Sequence, residues 1–553
     1  MRKSTVNMRM FILLLVGVLA FAACSDDNGS EGKSTVDIVG VTQPDLSKIE
    51  VVETGQRSWH DHYTMLLKEV EESQGEDGSS EAGNMLAEYA RQQLHYVDSV
   101  DQSLKDNVED GDDGENTFIG YQYTNICYES VDQNGKPVKL SELIVYPYKA
   151  GGSMGVEVRN IVIGCHVTIT SNFERPSNYA QLKLTTDVGM LASHAMVQPS
   201  IQGLLENPIY SNLVVIPDYQ GYGATSSIAH PYLYQTLTAR QVVDGTLAAK
   251  AWFEHNVCKL RQGYKTIATG YSHGGSVAMA VHRYIEQNDL DGENQLNFAG
   301  SVCGDGPYDP LTTLKSYVAN DKVYMPVAAG LIIKGMCDCN PVVAGKYSPN
   351  DYFTEGFINT GIIDMIASKN YSTDEVQKKL VEYSATHSDF NVMRLTTKGD
   401  YMPYTAENKN KYSWQDATAN GAVYCTVDQV MRPEVIKYIK NETVASEYKP
   451  KLEAIVKALE MNNLCKQWQP RHPMFVFHSM RDEVVPFDNY NSATAAFTGN
   501  YFKGMKYNAG YVCLHVGTGT SFYMYYEGLY TWALLKGEWQ KYSHDQEVGG
   551  RIW

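Results

Sequence analysis

Serine, histidine and carboxylate side chains can pass a proton along a line, and a serine hydroxyl so relieved attacks a carbonyl carbon. Two serines sit at the centre of a Gly-x-Ser-x-Gly pattern, Ser272 in "ATGYSHGGSVAMA" and Ser153 in "GGSMG". With 45 glycines in 553 residues, chance alone supplies the pattern in roughly one such chain in four, so its surroundings decide. Ser272 follows "KTIATG", an apolar run of strand length. It precedes "GGSVAMAVHRYIEQN", where Val277, Ala278, Val281 and Ile285 recur at helical spacing. Strand, tight turn and helix are the setting a nucleophile elbow needs, and Gly270 and Gly274 keep the backbone around it clear of side chains. Ser153, in "YPYKAGGSMGVEVRN", lies in a loop between two strand-like stretches with no helix to follow. Ser272 is therefore the candidate nucleophile.

On such an elbow the acid and base follow in the order Ser, Asp or Glu, His. Asp482 stands in a turn after the apolar "PMFVFHSM". His515 comes 33 positions later, after the apolar run in "NAGYVCLHVGTG". Each has rivals. Glu483 is beside Asp482, and Asp305 in "VCGDGPYD" also ends a strand-like run. His166, His273 and His478 compete with His515.

These residues resemble the α/β-hydrolase superfamily. The stretch His478-Ser479-Met480-Arg481-Asp482-Glu483-Val484-Val485-Pro486 is similar to its acid loop, with Ser479 in place of a usual glycine. "VVIPDYQGYGAT", "HPYL" with Asp244 in the following helix, and the opening hairpin "YQYTNICYESVDQNGKPVKLSELIVYP" resemble the superfamily's secretory-lipase and esterase relatives. The resemblance covers about residues 117–310 and 470–540. It implies an α/β-hydrolase fold and ester hydrolysis of the carboxylesterase or lipase type, through an acyl-serine, by Ser272, Asp482 and His515. It also implies an oxyanion hole. One donor is the N–H of His273. The other comes from the loop after the third strand of the family, where a usual His-Gly is replaced by His166-Val167, so the N–H of Val167 or of Thr168 fills that place. A serine peptidase on the same fold, or a surface binding protein keeping the fold without turnover, are the competing expectations.

Positioning such a triad takes a sheet. Short apolar runs, "RNIVIGCHV", "NLVVIPDY", "KTIATGYS", "NFAGSVCG" and "PMFVFHSM", alternate with longer amphipathic stretches such as 237–256 and 275–287. That rhythm predicts a mostly parallel sheet with helices on both faces. Before it, "NVEDGDDGEN" reads as a solvated acidic linker, and Asn134-Gly135 marks a hairpin turn. Residues 310–470 break the rhythm and read as a large helix-rich cap inserted between two strands. The expected organisation is a signal peptide over 1–23, an anchor and flexible tether over 24–50, a helical extension over 51–116, a hydrolase core over 117–309 and 471–553, and the cap over 310–470. Within the extension, residues about 55–72 and 83–106 show helical spacing.

The N-terminus carries Arg2, Lys3 and Arg9, then "FILLLVGVLAFAA" and Cys24, an apolar stretch too short to span a membrane. The small residues before Cys24 resemble a bacterial lipobox, which implies cleavage there, lipidation of Cys24 and attachment at the cell envelope, at the outer membrane and on its surface. A net charge of −18 argues against nucleic acid and against basic adhesion to anionic lipid, leaving the lipid anchor as the one link to a membrane. The expected partner is a small-molecule or acylated ester, with no cofactor and no metal. His60 and His62 in "WHDHY" would point apart on a helix, and Cys337 and Cys339 in "GMCDCN" lack further ligands at metal spacing. Nine cysteines besides Cys24 leave at least one thiol unpaired.

Overall fold

The computed structural model describes residues 38–74, 81–108, 118–149, 158–197, 211–417, 421–508 and 515–549. Cys24 with its leader, most of the acidic linker, Ser153 and Cys513 lie outside them. In chain order the strands are β1 (Glu50–Ser58), β2 (Phe118–Val131), β3 (Pro137–Lys149), β4 (Val158–Cys165), β5 (Asn212–Pro217), β6 (Leu260–Tyr271), β7 (Phe298–Gly304), β8 (Val392–Leu395), β9 (Tyr401–Tyr404), β10 (Val423–Tyr424), β11 (Met474–Ser479), β12 (Phe502–Asn508) and β13 (Gln546–Gly549). Ten of them form one sheet in the order β1-β2-β3-β5-β4-β6-β7-β11-β12-β13, and β10-β8-β9 form a second. From β5 to β13 every neighbouring pair in the large sheet is parallel, while β1, β2 and β3 join antiparallel at one edge.

The five apolar runs fall on β4, β5, β6, β7 and β11. β5 and β11 are buried at every position, as strands covered on both faces must be. The helices that cover them include α1 (Trp59–Gln74), α2 (Glu81–Val108), α3 (Asp187–Val197), α4 (Gln235–Asn256) and α5 (His273–Gln287). Trp59 on α1 packs against Tyr121 of β2, and on the opposite face Tyr146 of β3 packs against Trp252 and Phe253 of α4. The β2–β3 hairpin turns where Asn134-Gly135 predicts: Gly135 takes φ 69, and Asp132 Oδ1 accepts from the amides of Asn134 and Lys136 at 2.8 and 2.9 Å.

Three segments differ from expectation. Residues 38–49, expected within the tether, lie against the core: Ile38 is buried, and Thr42 donates from N and Oγ1 to Asp244 at 2.7 and 2.9 Å. β1 begins at the expected tether's last residue and occupies the start of the expected helix. It is an edge strand with Val51 and Val52 exposed, so no apolar alternation announced it. β12 is the last described strand before His515, and the expected apolar run ending at Leu514 lies, after Asn508, outside the described residues. The lysines of β12 hid it: Lys506 pairs with Asp545 at 2.7 Å, and Lys503 lies over Trp539.

Residues 305–473 separate β7 from β11. They carry α6 (Pro310–Asn320), α7 (Pro326–Cys339), a further helix over Lys449–Met461 and the small sheet. Val327, Leu331, Phe353, Phe357 and Val430 belong to a hydrophobic cluster of this segment, distinct from the main core. No described helix is long and apolar enough to cross a membrane.

Candidate active site

β6 ends at Tyr271, α5 begins at His273, and Ser272 is the whole turn between them. Its backbone sits at φ 56, ψ −125, a conformation a non-glycine residue adopts only when its surroundings force it. Here they do: the Ser272 amide donates to Gly304 O at 2.8 Å, and its carbonyl accepts from Ser276 N at 3.2 Å. The flanking glycines are steric necessities. A Cβ on Gly274 would stand 1.9 Å from Cys165 O, and one on Gly270 would stand 2.4 Å from the same oxygen.

His515 Nε2 lies 2.9 Å from Ser272 Oγ. On the other side of the ring, Nδ1 lies 2.6 Å from Asp482 Oδ2. Asp482 sits in the turn after β11, and its other oxygen accepts from the amides of Val484 and Val485, both at 2.8 Å. Those two bonds fix the carboxylate so that it can only face the imidazole. His515 opens the helix His515–Ser521. Burial opposes charge on its ring, but the Asp482 carboxylate outweighs that by charge and hydrogen bond. With smaller help from Asp305 and Glu483, the ring is pushed up to about 9.

The rival residues surround this line without joining it. Glu483 accepts the backbone N–H of His515 at 3.1 Å and does not meet its ring. Burial and the neighbouring Asp482 push Glu483 up to about 7. Asp305 lies deeper, against Tyr271 Oη and the Ser479 amide. His478 is fully buried beside it. His166 stacks on Tyr219, and burial holds it down at about 4. The His273 ring stacks on Tyr232 and is likewise lowered by burial.

Of the oxyanion candidates, the amides of His273 and Thr168 have no hydrogen-bond partner among the described residues. The expectation for Val167 needs correction: its N–H donates to Asp187 Oδ2 at 2.9 Å, at the start of α3, and is not free for a substrate. Nothing in "GCHVTIT" signals this, because the acceptor lies 20 residues along the chain. Thr168 also pairs through Oγ1 with Tyr232 Oη at 2.6 Å.

Among the described residues, two groups of side chains have metal-like donor types within 4.8 Å of one another: His282, Glu286 and His472, and Asp305, His478 and Asp482. Both are already committed to hydrogen bonds. Glu286 Oε1 accepts from both rings and from the amides of residues 471 and 472, and Asp482 serves His515. His60 is exposed near Asp98, while His62 is buried on Tyr121 Oη, so they do not converge. Cys337 and Cys339 are free and buried.

The matching family model is described as secretory lipase and covers residues 397–520. No curated protein matches. Among solved structures, the rice cell wall degrading esterase LipA from Xanthomonas oryzae is similar at 18% identity and a TM-score of 0.54, over 76% of this chain and 91% of that one. A candidate hydrolase from Legionella pneumophila is similar at 16% identity and a TM-score of 0.54, over 88% of this chain and 99% of that one. At such identities the likeness is one of fold. This chain has the α/β-hydrolase architecture and resembles the secretory lipases.

Proposed function

We propose that this chain is a serine carboxylic-ester hydrolase. The observation that carries the reading is the unbroken line Asp482–His515–Ser272, with contacts of 2.6 and 2.9 Å, ending on a strained elbow. The match to the secretory-lipase family supports ester hydrolysis. Neutral His515 takes the Ser272 proton through Nε2 as Oγ attacks the ester carbonyl. Asp482 holds the ring and balances the imidazolium. The tetrahedral oxyanion meets the amides of His273 and Thr168. His515 then protonates the leaving alkoxide, leaving an acyl-serine. Water, deprotonated by the same ring, hydrolyses it. None of these steps draws on a cofactor.

The family's description also favours export. We add, from the sequence alone, that Cys24 is lipidated and tethers the enzyme to the outer membrane. Metabolic labelling with an alkynyl fatty acid, lost in Cys24→Ala, tests that. For the chemistry, a fluorophosphonate probe followed by peptide mass spectrometry should label the peptide holding Ser272. Ser272→Ala should lose both the label and about 10⁴-fold or more in kcat on a nitrophenyl acyl ester. A wild-type protein that takes no label, or a variant that keeps its rate, overturns the reading.

A further inference from the structure

Thr168 lies on a loop without regular structure, yet its amide must point at one spot to serve as an oxyanion donor. Its peptide plane is held at both ends. The carbonyl of that peptide, Val167 O, lies 2.7 Å from His166 Nδ1. A carbonyl can only accept, so Nδ1 carries a hydrogen, and the Thr168 N–H, trans to that carbonyl, is turned the opposite way. At the other end Thr168 makes one hydrogen bond among the described residues, through Oγ1 to Tyr232 Oη at 2.6 Å. Tyr232 also meets the other arm of the hole. Its ring stacks on the ring of His273, with centroids 4.3 Å apart and planes inclined at 29°. We propose that Tyr232 is a positioning residue that holds both arms of the oxyanion hole at their working separation, by a hydrogen bond to Thr168 and a ring stack on His273. This rests on the reading of Ser272 as the nucleophile and of those two amides as the hole.

A residue can set such a separation only if it is itself fixed. Tyr232 is buried and belongs to the hydrophobic cluster of the segment between β7 and β11. Its amide donates to His230 O at 2.9 Å, and the Tyr234 amide donates to Pro231 O at 2.8 Å. These tight turns bring the next residue, Leu233, to φ 58, a left-handed conformation that a leucine keeps only under constraint. From the other side α7 lies on the same backbone: a Cβ on Gly335 would stand 2.8 Å from Tyr232 N and 2.9 Å from Tyr232 O. With its backbone pinned between the turn and α7, the ring keeps its distance from His273 and the hydroxyl its distance from Thr168.

The two arms come from separate elements, the loop after β4 and the start of α5. Their backbones touch nearby, where a Cβ on Gly274 would stand 2.9 Å from His166 O, but Thr168 lies two residues further along the loop and reaches His273 through Tyr232. An oxyanion hole works by having its donors in place before the charge develops. Losing a donor outright costs about 10²–10³ in rate, and a donor kept but loosened costs part of that. The cost falls on kcat, because the ground-state carbonyl asks less of the two amides than the tetrahedral oxyanion does.

Tyr232→Phe removes the hydroxyl and keeps the stacked ring. Thr168→Val removes the other half of the bond and keeps the amide. Each should lower kcat on a short-chain nitrophenyl ester about tenfold, with KM within about twofold of wild type. Because both remove one and the same bond, the double variant should fall no further than the lower single. Thr168→Ser should recover most of what Thr168→Val loses. A trifluoromethyl ketone gives a readout that a merely structural role would not move. Ser272 Oγ adds to its carbonyl carbon, the serine proton passes to His515, and the former carbonyl oxygen carries the negative charge into the hole. Its affinity should fall in step with kcat/KM across the variants, while the Ki of the matching secondary alcohol, which bears no such charge, stays unchanged. The proposal is overturned if Tyr232→Phe keeps the wild-type kcat, if the double variant loses the product of the two single losses, or if the alcohol weakens as much as the ketone. A wild type that takes no fluorophosphonate label defeats the hydrolase reading and this proposal together; a labelled wild type with an unimpaired Tyr232→Phe defeats this proposal alone.

Discussion

A serine at the N-terminus of a helix ordinarily turns its hydroxyl onto the first free amides. Ser272 occupies that position on α5 and makes no such bond; its Oγ faces His515 instead. That one diverted hydroxyl separates a nucleophile from a cap. It was legible in advance because the glycines and the strand–helix change around Ser272 are local in sequence. The occupied amide of Val167 was not legible, since it depends on Asp187. The same residue scale sets the pH dependence. The attacking form needs neutral His515, and the ring is raised to about 9, so kcat/KM should climb with pH and level off only above that value. Glu483 is one of the charges that lift it. Glu483→Gln should therefore move the acid limb to lower pH. Below about 7, where Glu483 is itself protonated, the two profiles should converge. Rates on a short acyl ester across pH measure both, and an unmoved limb would deny Glu483 any charge coupling to the base.

Elements meet where one side chain closes several ends. Glu286, on the last turn of α5, accepts from His282 one turn back at 3.0 Å, from His472 Nδ1 at 2.9 Å, and from the amides of Arg471 and His472, both at 2.8 Å. It joins the helix behind the elbow to the start of β11, the strand that carries the acid. Burial alone would raise its carboxyl, but the hydrogen bonds from His282 and His472 outweigh that and hold it at about 2, against an ordinary 4.5. A folded value below the unfolded one means stability that is complete above about 4.5 and lost as pH falls toward 2. Glu286→Gln should lower stability by about 2 kcal/mol near neutrality. Thermal melts should show the gap to wild type closing as pH falls; a pH-independent gap would mean the carboxylate charge plays no part. Sequence reading reached α5 and β11 separately, because each has its own apolar period. It could not reach their junction, nor β12, whose lysines are partnered in space by Asp545 and Trp539.

At the scale of the whole molecule, the segment between β7 and β11 is tied to the rest of the fold at separated points. It was legible as an interruption of the strand–helix rhythm, but the manner of its attachment was not, since every tie runs between distant positions. Tyr317 Oη donates to Val484 O in the acid loop at 2.6 Å. Ser316 Oγ donates to Asp488 at 2.6 Å, and Asn489 Nδ2 donates to Thr313 Oγ1 at 2.9 Å. On the opposite flank, Lys369 Nζ donates to the carbonyls of Ser226 and Ile228 at 2.7 and 2.5 Å, and Thr170 Oγ1 donates to Tyr371 O at 2.7 Å. Behind these, the Gln235 amide donates to Asn462 Oδ1 at 2.9 Å. A flap that swings open needs one free side and a hinge on the other. This segment is fastened at separated points to the acid loop, to the loops after β4 and β5, and to α4, and we propose that it is a cap that acts as a fixed roof. A fixed roof has no closed form for a lipid surface to open. The rate on a short-chain ester should therefore rise hyperbolically and pass smoothly through the ester's solubility limit. Kinetics carried across that limit, with Lys369→Met as a loosened comparison, test it: a sharp jump at the onset of the emulsion in the wild type would show that the roof lifts.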